Sequence, residues 1–165
     1  MLQINYDFRN KIIKKNITLS GCYQCSTCTG GCPVALITNG KYNPRKIIEQ
    51  SILGLREKLV ESDDANLWLC STCQKCVELC PQLVELTEIF TLIKNECFEA
   101  GKAPAGFTAQ ADAIYKSGLA IPLQPAILKR REQLGIPEIK FAPVEEIQTL
   151  LKETGLEKLL PKGGE

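Results

Sequence analysis

The 165-residue sequence contains no histidine. That absence removes imidazole acid–base catalysis, Ser-His-Asp and Cys-His machinery, zinc sites of mixed cysteine and histidine ligands, and Rieske-type centres. No stretch of about 18 consecutive apolar residues occurs, so no transmembrane helix is predicted. The formal net charge is only +1, and nothing suggests a nucleic-acid surface. Neither a G-x-G-x-x-G after a strand nor a P-loop is present, which leaves no motif for an organic cofactor or nucleotide. The opening residues, Met1-Leu2-Gln3-Ile4-Asn5-Tyr6-Asp7, lack the charged and apolar regions of a signal peptide, and cytoplasm is the expected compartment. Strand signals are nearly missing too.

What the sequence does have is cysteine. Eight of the nine fall in two runs of one pattern: Cys22-x2-Cys25-x2-Cys28-x3-Cys32-Pro33 and Cys70-x2-Cys73-x2-Cys76-x3-Cys80-Pro81. A single C-x2-C is shared by zinc ribbons and redox dithiols. Two complete four-cysteine runs, each closed by Cys-Pro, have the spacing that holds [4Fe–4S] clusters through thiolates. Two intervening residues let a loop curl with its sulfurs inward. In two-cluster proteins of this kind the fourth cysteine of each run binds the other cluster. Applied here, Cys22, Cys25, Cys28 and Cys80 hold cluster one, and Cys70, Cys73, Cys76 and Cys32 hold cluster two. A disulfide scaffold does not suit a chain without an export signal. Two zinc sites of four thiolates each remain an alternative, although zinc ribbons need neither the third cysteine nor the x3-Cys-Pro ending.

The surrounding sequence reads as helix. Asp7 is a candidate N-cap for a helix to Lys15, with Phe8, Ile12 and Ile13 on one face. In the first ligand loop Gln24, Ser26, Thr27, Thr29, Gly30 and Gly31 are small or polar, with glycines expected to admit close backbone approach. Asn43-Pro44 predicts an N-cap and first helical residue, followed by Ile47, Ile48, Ile52, Leu55 and Leu59 at helical spacing, with Gly54 inside. Ser62-Asp63-Asp64 is the expected break. Leu67, Trp68 and Leu69 lead into Cys70, Trp68 being read as packing. Lys75 reads as a solvated side chain. Thr87 is a candidate N-cap for a helix through Ile89, Phe90, Ile93 and Cys97 to Gly101, and Cys97 is read as a buried thiol acting as a small hydrophobe. The 37 residues between Cys32 and Cys70 are mostly helical in pattern, so an all-α cluster domain is expected over residues 1–100. Residues 101–165 are expected to form a helical C-terminal extension of three short helices: from Thr108 to Ser117, Pro125 to Leu134, and Pro143 to Thr154, stopped by Gly118, Gly135 and Gly155. Val144, Ile147, Leu150 and Leu151 form the apolar face of the third, and the extension is read as a docking arm.

With both cysteine runs, the helical insert beginning Asn43-Pro44-Arg45 and the capped tail helices, the chain resembles the C subunit of CoB–CoM heterodisulfide reductase. The resemblance implies a small α-helical ferredoxin with two [4Fe–4S] clusters, acting in methanogenesis. It implies two heterodisulfide reductase partners. The A subunit carries the flavin that splits electron pairs, and the B subunit cleaves CoM-S-S-CoB at clusters bound by Cys-Cys-Gly motifs. This chain has no adjacent cysteine pair and so resembles the conduit between those two, with no catalytic residues of its own. A hydrogenase or formate dehydrogenase would join the larger assembly. A related module in sulfur metabolism, and a zinc-bound interaction protein, are the competing readings.

Overall fold

The computed structural model describes residues 3–62, 66–121 and 123–160. All regular secondary structure among the described residues is helical, with no strand, as the missing strand signals imply. Asp63 and Asp64, expected to break the insert, lie outside the described residues. Two compact units divide the chain, Met1–Lys102 and Ala103–Glu165.

In the first unit α1 spans Tyr6–Lys15 and buries Phe8 and Ile12, four apart on one face. Its N-cap is Asn5, whose Oδ1 accepts from Phe8 N at 2.8 Å, and not Asp7. Asn5 wins because Gly54 O receives its backbone N–H at 2.8 Å, fixing it outside the helix. Short helices α2 (Thr27–Gly30) and α3 (Pro33–Ile37) follow the first ligand loop. Helix α4 runs Pro44–Ile52, capped by Asn43 with Pro44 at the first turn, as expected. It ends earlier than the apolar spacing suggests. Gly54 has φ 69° and terminates the helix, and Glu57–Glu61 then forms a separate π-turn that buries Leu59 and Val60. A short 3-10 turn, Leu67–Leu69, buries Leu67 before Cys70. Trp68 is half-buried, with Lys94 Nζ 5.5 Å above its ring centre.

After the second ligand loop, with its single turn α5 (Lys75–Glu78), helix α6 spans Leu86–Glu99. Leu86, Ile89, Phe90, Ile93 and Cys97 are all buried and make it the spine of the core with Ile12, Leu19, Ile47 and Ile48. Burying each such aliphatic side chain contributes roughly 1.5–3 kcal/mol. Helix α6 starts ahead of Thr87, which is buried within it and caps nothing. The start is set by tertiary contact instead: Asn16 Nδ2 donates to Glu85 Oε2 at 2.8 Å, and Glu85 N donates to Thr18 Oγ1 at 3.1 Å. These two bonds tie the chain entering the first ligand loop to the chain leaving the second. At the other end Gly101, φ 68°, closes the helix, and Lys102 N donates to Cys97 O at 2.8 Å. Cys97 is itself buried, its thiol 3.5 Å from Leu59 O, consistent with a packed, non-ligating cysteine.

The second unit holds α7 (Ala105–Ser117), α8 (Pro125–Gln133) and α9 (Val144–Glu153). Helix α7 begins after Pro104, three residues before the expected Thr108, whose hydroxyl donates back to Ala105 O. The three stops at Gly118, Gly135 and Gly155 fall where expected, each in left-handed backbone. Gln148 of α9 donates to Tyr115 O at 3.1 Å, and Tyr115 OH donates to Glu157 Oε1 at 2.6 Å. On α9 Val144, Ile147 and Leu151 are half-buried, but Leu150 is exposed. None of the three helices contains a buried residue.

Candidate metal centre

Two cavities carry all eight run cysteines. One is lined by Cys70, Cys73 and Cys76 together with Cys32. The other is lined by Cys22, Cys25 and Cys28 together with Cys80. Each set of three from one run is therefore completed by the fourth cysteine of the other. The local chain explains why. Pro33 is the first residue of α3, so Cys32 sits at its N-cap, turned off the loop that carries Cys22, Cys25 and Cys28. Cys32 Sγ accepts from Ala35 N at 3.5 Å, and Cys80 Sγ accepts from Val84 N at 3.3 Å. The prolines thus begin a new direction at each crossing cysteine, and the Asn16–Glu85 and Thr18–Glu85 bonds hold the exchanged segments together.

The loops achieve their curl without glycine. Gln24 and Ser26 in the first, and Thr72 and Gln74 in the second, have φ values of 65°, 70°, 56° and 61°. Left-handed backbone at a residue bearing a side chain costs about 1 kcal/mol or more. Four such residues at equivalent places in the two runs indicate that thiol convergence dictates the conformation. Gly31, expected to bring backbone close, makes room for a side chain instead: a Cβ there would collide with Leu79.

The thiols differ in exposure. Cys25 and Cys73 are exposed, Cys32 and Cys76 are buried, and the rest are intermediate. Burial, then the neighbouring Cys70, Cys28, Cys32 and Cys73, pushes the Cys76 thiol up to about 12. Burial likewise raises Cys28, whereas the hydrogen bond from the Thr27 hydroxyl lowers Cys25. Cys76 and Cys28, one in each cavity, therefore resist ionisation unless positive charge enters with them, which is what an iron core supplies. Cys28 of one cavity sits on α2 and Cys76 of the other on α5, and the two helices pack together, so the cavities are neighbours.

Residues beyond the cysteines also face these cavities. Tyr42, fully buried and edge-on to Phe90 at 6.5 Å, lines the Cys70 cavity; burial and a hydrogen bond to Cys70 raise its phenol well above the ordinary range. Gln24 and Arg45 line the Cys22 cavity, and Lys75 stands exposed at the rim of the other. Tyr42 carries no motif that marks it in the sequence. Its position directly before the Asn43-Pro44 cap was the available signal, since that cap is anchored to the first ligand loop by Thr29 Oγ1 donating to Asn43 Oδ1 at 2.9 Å.

Among the described residues no three cysteine, aspartate or glutamate side chains gather closely enough to hold one metal ion. The sulfurs instead surround a space, and the donor set is purely thiolate, which fits an iron–sulfur core better than a single tetrahedral ion.

Comparison with known proteins agrees. Residues 18–84 match the 4Fe-4S dicluster domain family. The iron-sulfur C subunit 2 of CoB–CoM heterodisulfide reductase from Methanocaldococcus jannaschii is 32% identical, with 96% of this chain and 90% of the relative covered. The chain belongs to the family of heterodisulfide reductase C subunits. The C2 subunit of the H(2)/formate:CoB-CoM heterodisulfide,ferredoxin reductase of Methanococcus maripaludis is 34% identical, over 96% of this chain and 91% of that protein. A protein of Archaeoglobus profundus named as like the heterodisulfide reductase C subunit is 31% identical, over 84% and 74%. Membership of this family and the matched domain make this an iron–sulfur electron-transfer protein carrying [4Fe–4S] chemistry. No helix among the described residues is long and apolar enough to cross a membrane.

Proposed function

We propose that this chain is the electron-relay subunit of a heterodisulfide reductase complex. In this reading Cys22, Cys25, Cys28 and Cys80 bind one [4Fe–4S] cluster and Cys70, Cys73, Cys76 and Cys32 bind a second. The carrying observation is the pair of cavities, each ringed by three cysteines of one run and the fourth of the other. When bound, the two clusters supply one-electron carriers a short distance apart. The chain's own part is to hold them, exclude water through Tyr42, Val84 and Leu86, and tune them through donors to the sulfurs. No imidazole and no adjacent cysteine pair is present, which supports a conduit that does no substrate chemistry itself.

Electrons would then pass from the flavin-bearing A subunit to the B subunit that reduces CoM-S-S-CoB, in the cytoplasm, with a hydrogenase or formate dehydrogenase feeding the assembly. The names of the M. jannaschii and M. maripaludis relatives support this assignment. Residues 1–100 would serve as the cluster domain and 101–165 as the docking extension. A docking role is supported by three helices without a buried residue and by exposed Ile121, Leu134, Phe141 and Leu150, because such segments seldom bury enough surface alone. The A. profundus relative keeps open a heterodisulfide-reductase-like complex of another metabolism.

Affinity purification of the full chain from its native cells, followed by iron and flavin analysis and mass spectrometry, tests the whole. The expected result is an iron–sulfur protein co-purifying with one partner that binds flavin and one that carries Cys-Cys-Gly motifs. Removing residues 103–165 is expected to abolish co-purification while the iron is kept. A colourless zinc protein, or a free monomer with reductase activity of its own, would overturn the proposal; co-purifying sulfur-metabolism proteins would favour the second reading.

A further inference from the structure

The two cysteine runs curl alike but carry different side chains at equivalent positions. Gln24 of the first run corresponds to Thr72 of the second, and Thr29 corresponds to Val77. Gln24 Nε2 donates to Cys22 Sγ at 3.3 Å. The other end of the same amide, Oε1, accepts from Arg45 Nη1 at 3.3 Å. A guanidinium has donors and no acceptor. Whichever atom of the amide faces Arg45 must be its oxygen, so the NH2 group is left facing the sulfur.

Arg45 is itself held in place. Its backbone N donates to Thr29 Oγ1 at 3.1 Å, Thr29 Oγ1 donates to Asn43 Oδ1 at 2.9 Å, and Glu49 Oε2 takes Nη1 at 3.4 Å. Gln24 and Arg45 both line the cavity ringed by Cys22, Cys25, Cys28 and Cys80. In the second run Thr72 has no amide to orient and Val77 has no hydroxyl to anchor a helix. Among the described residues the chain from Arg45 through Gln24 to sulfur therefore exists at the first run's site and not at the second's.

We propose that Arg45 is a positioning residue that fixes the Gln24 amide with its N–H toward Cys22 and so raises the reduction potential of the cluster at that site, leaving the other cluster untouched. The inference rests on the two-cluster reading above. Reduction adds negative charge that the ligating sulfurs share, so a donor aimed at sulfur stabilises the reduced form more than the oxidised one. Glu49 offsets part of the guanidinium charge, which leaves the oriented amide as the main lever. Without Arg45 the amide is free to turn its oxygen toward the thiolate, where it repels.

The test is a redox titration followed by electron paramagnetic resonance, with iron per chain measured alongside, on the full-length cluster-loaded chain. Arg45→Met and Gln24→Glu are each expected to move the same one of two midpoints to a more negative potential and leave the other in place. Gln24→Glu is informative because a carboxylate still pairs with Arg45 yet offers nothing to Cys22; it also carries the test should Arg45→Met fail to load iron. Arg45→Lys, which keeps a donor for the Gln24 oxygen, is expected to return the midpoint toward the wild-type value. Tyr42→Phe, at the other cavity, is expected to move the other midpoint. Full iron with neither midpoint moved, both moved equally, or Arg45→Met and Gln24→Glu acting on different midpoints would overturn the proposal alone. A wild-type chain without iron would overturn the reading beneath it.

Discussion

Replacing Cys80 with serine discriminates between two ways of sharing the thiolates. Cys80 belongs by sequence to the run of Cys70, Cys73 and Cys76, yet it lines the cavity of Cys22, Cys25 and Cys28. If the cavities define the ligand sets, Cys80→Ser weakens the cluster of the first run. Iron should fall by up to about half, since the proposed clusters are alike in size. The thiols set free should be Cys22, Cys25 and Cys28, of which Cys25 is exposed and the other two half-buried. A short pulse of alkylating reagent under native, anaerobic conditions, read by peptide mass spectrometry, should label that run first. Cys25 should lead, because its thiol is lowered by the Thr27 hydroxyl and it is open to solvent. Protection of the Cys22 run with labelling of Cys70 and the exposed Cys73 would refute the crossed arrangement. The converse substitution, Cys32→Ser, should expose Cys73 and Cys70 first, with Cys76 slow because it is buried and its thiol is pushed up to about 12.

Three further outcomes follow from the packing. Gly54→Ala introduces a Cβ 2.7 Å from Asn5 O at a φ of 69°, so left-handed strain and a clash with backbone add to roughly 2–4 kcal/mol, lowering the iron-release midpoint on heating by about 10 °C or more. Lys11→Met removes the 2.5 Å ion pair to the largely buried Glu96 and should cost about 1 kcal/mol, discounted because Lys11 is 41% exposed. The hydrogen bond to Glu96 raises Lys11, so this contribution is full below the ordinary lysine value of about 10.4 and is lost as pH climbs through the folded value; urea melts of both proteins across that range should converge. Cys97, buried and raised to about 11, should resist alkylation at pH 8 in the folded holoprotein; because the unfolded chain ionises it first, stability should decline between about pH 9 and pH 11, less so in Cys97→Ala, and prompt native labelling at pH 8 would show the site to be open.

The features that could be read from the sequence are those decided within a few residues. The Asn43-Pro44 start and the glycine stops at Gly101, Gly118, Gly135 and Gly155 each depend on local backbone chemistry, and each appears where expected. Expectations failed where distant residues decide. Asp7 lost the cap to Asn5 because Gly54, nearly fifty residues away, binds the Asn5 backbone. Thr87 lost its cap because Asn16 and Thr18, 69 and 67 residues away in sequence, fix Glu85. Gly54 resembled a tolerated interior glycine because its apolar neighbours kept helical spacing on both sides. Its φ of 69° ends α4, and the spacing resumes by coincidence of the π-turn. Nor could left-handed Gln24, Ser26, Thr72 and Gln74 be anticipated from preference, since none is the residue that conformation favours.

One contact links the two runs directly and shows why the near-repeat is not symmetric. Gly31 and Leu79 occupy the same place in their runs, three residues after Cys28 and Cys76. They also touch: a Cβ built on Gly31 would collide with Leu79 Cδ1. Two leucines there would overfill the space between α2 and α5, and two glycines would leave it open, so the near-repeat needs one of each. Gly31→Ala should be mild, about 1 kcal/mol, because Leu79 meets it with the end of a flexible chain. Gly31→Leu leaves no such escape and should cost both stability and iron retention. Combining Gly31→Leu with Leu79→Gly restores the volume in mirrored form, and its thermal midpoint and iron content should recover toward the wild type. A double variant no better than Gly31→Leu alone would mean that the contact depends on surroundings the two runs do not share, and the apparent equivalence of the loops would end at their backbones.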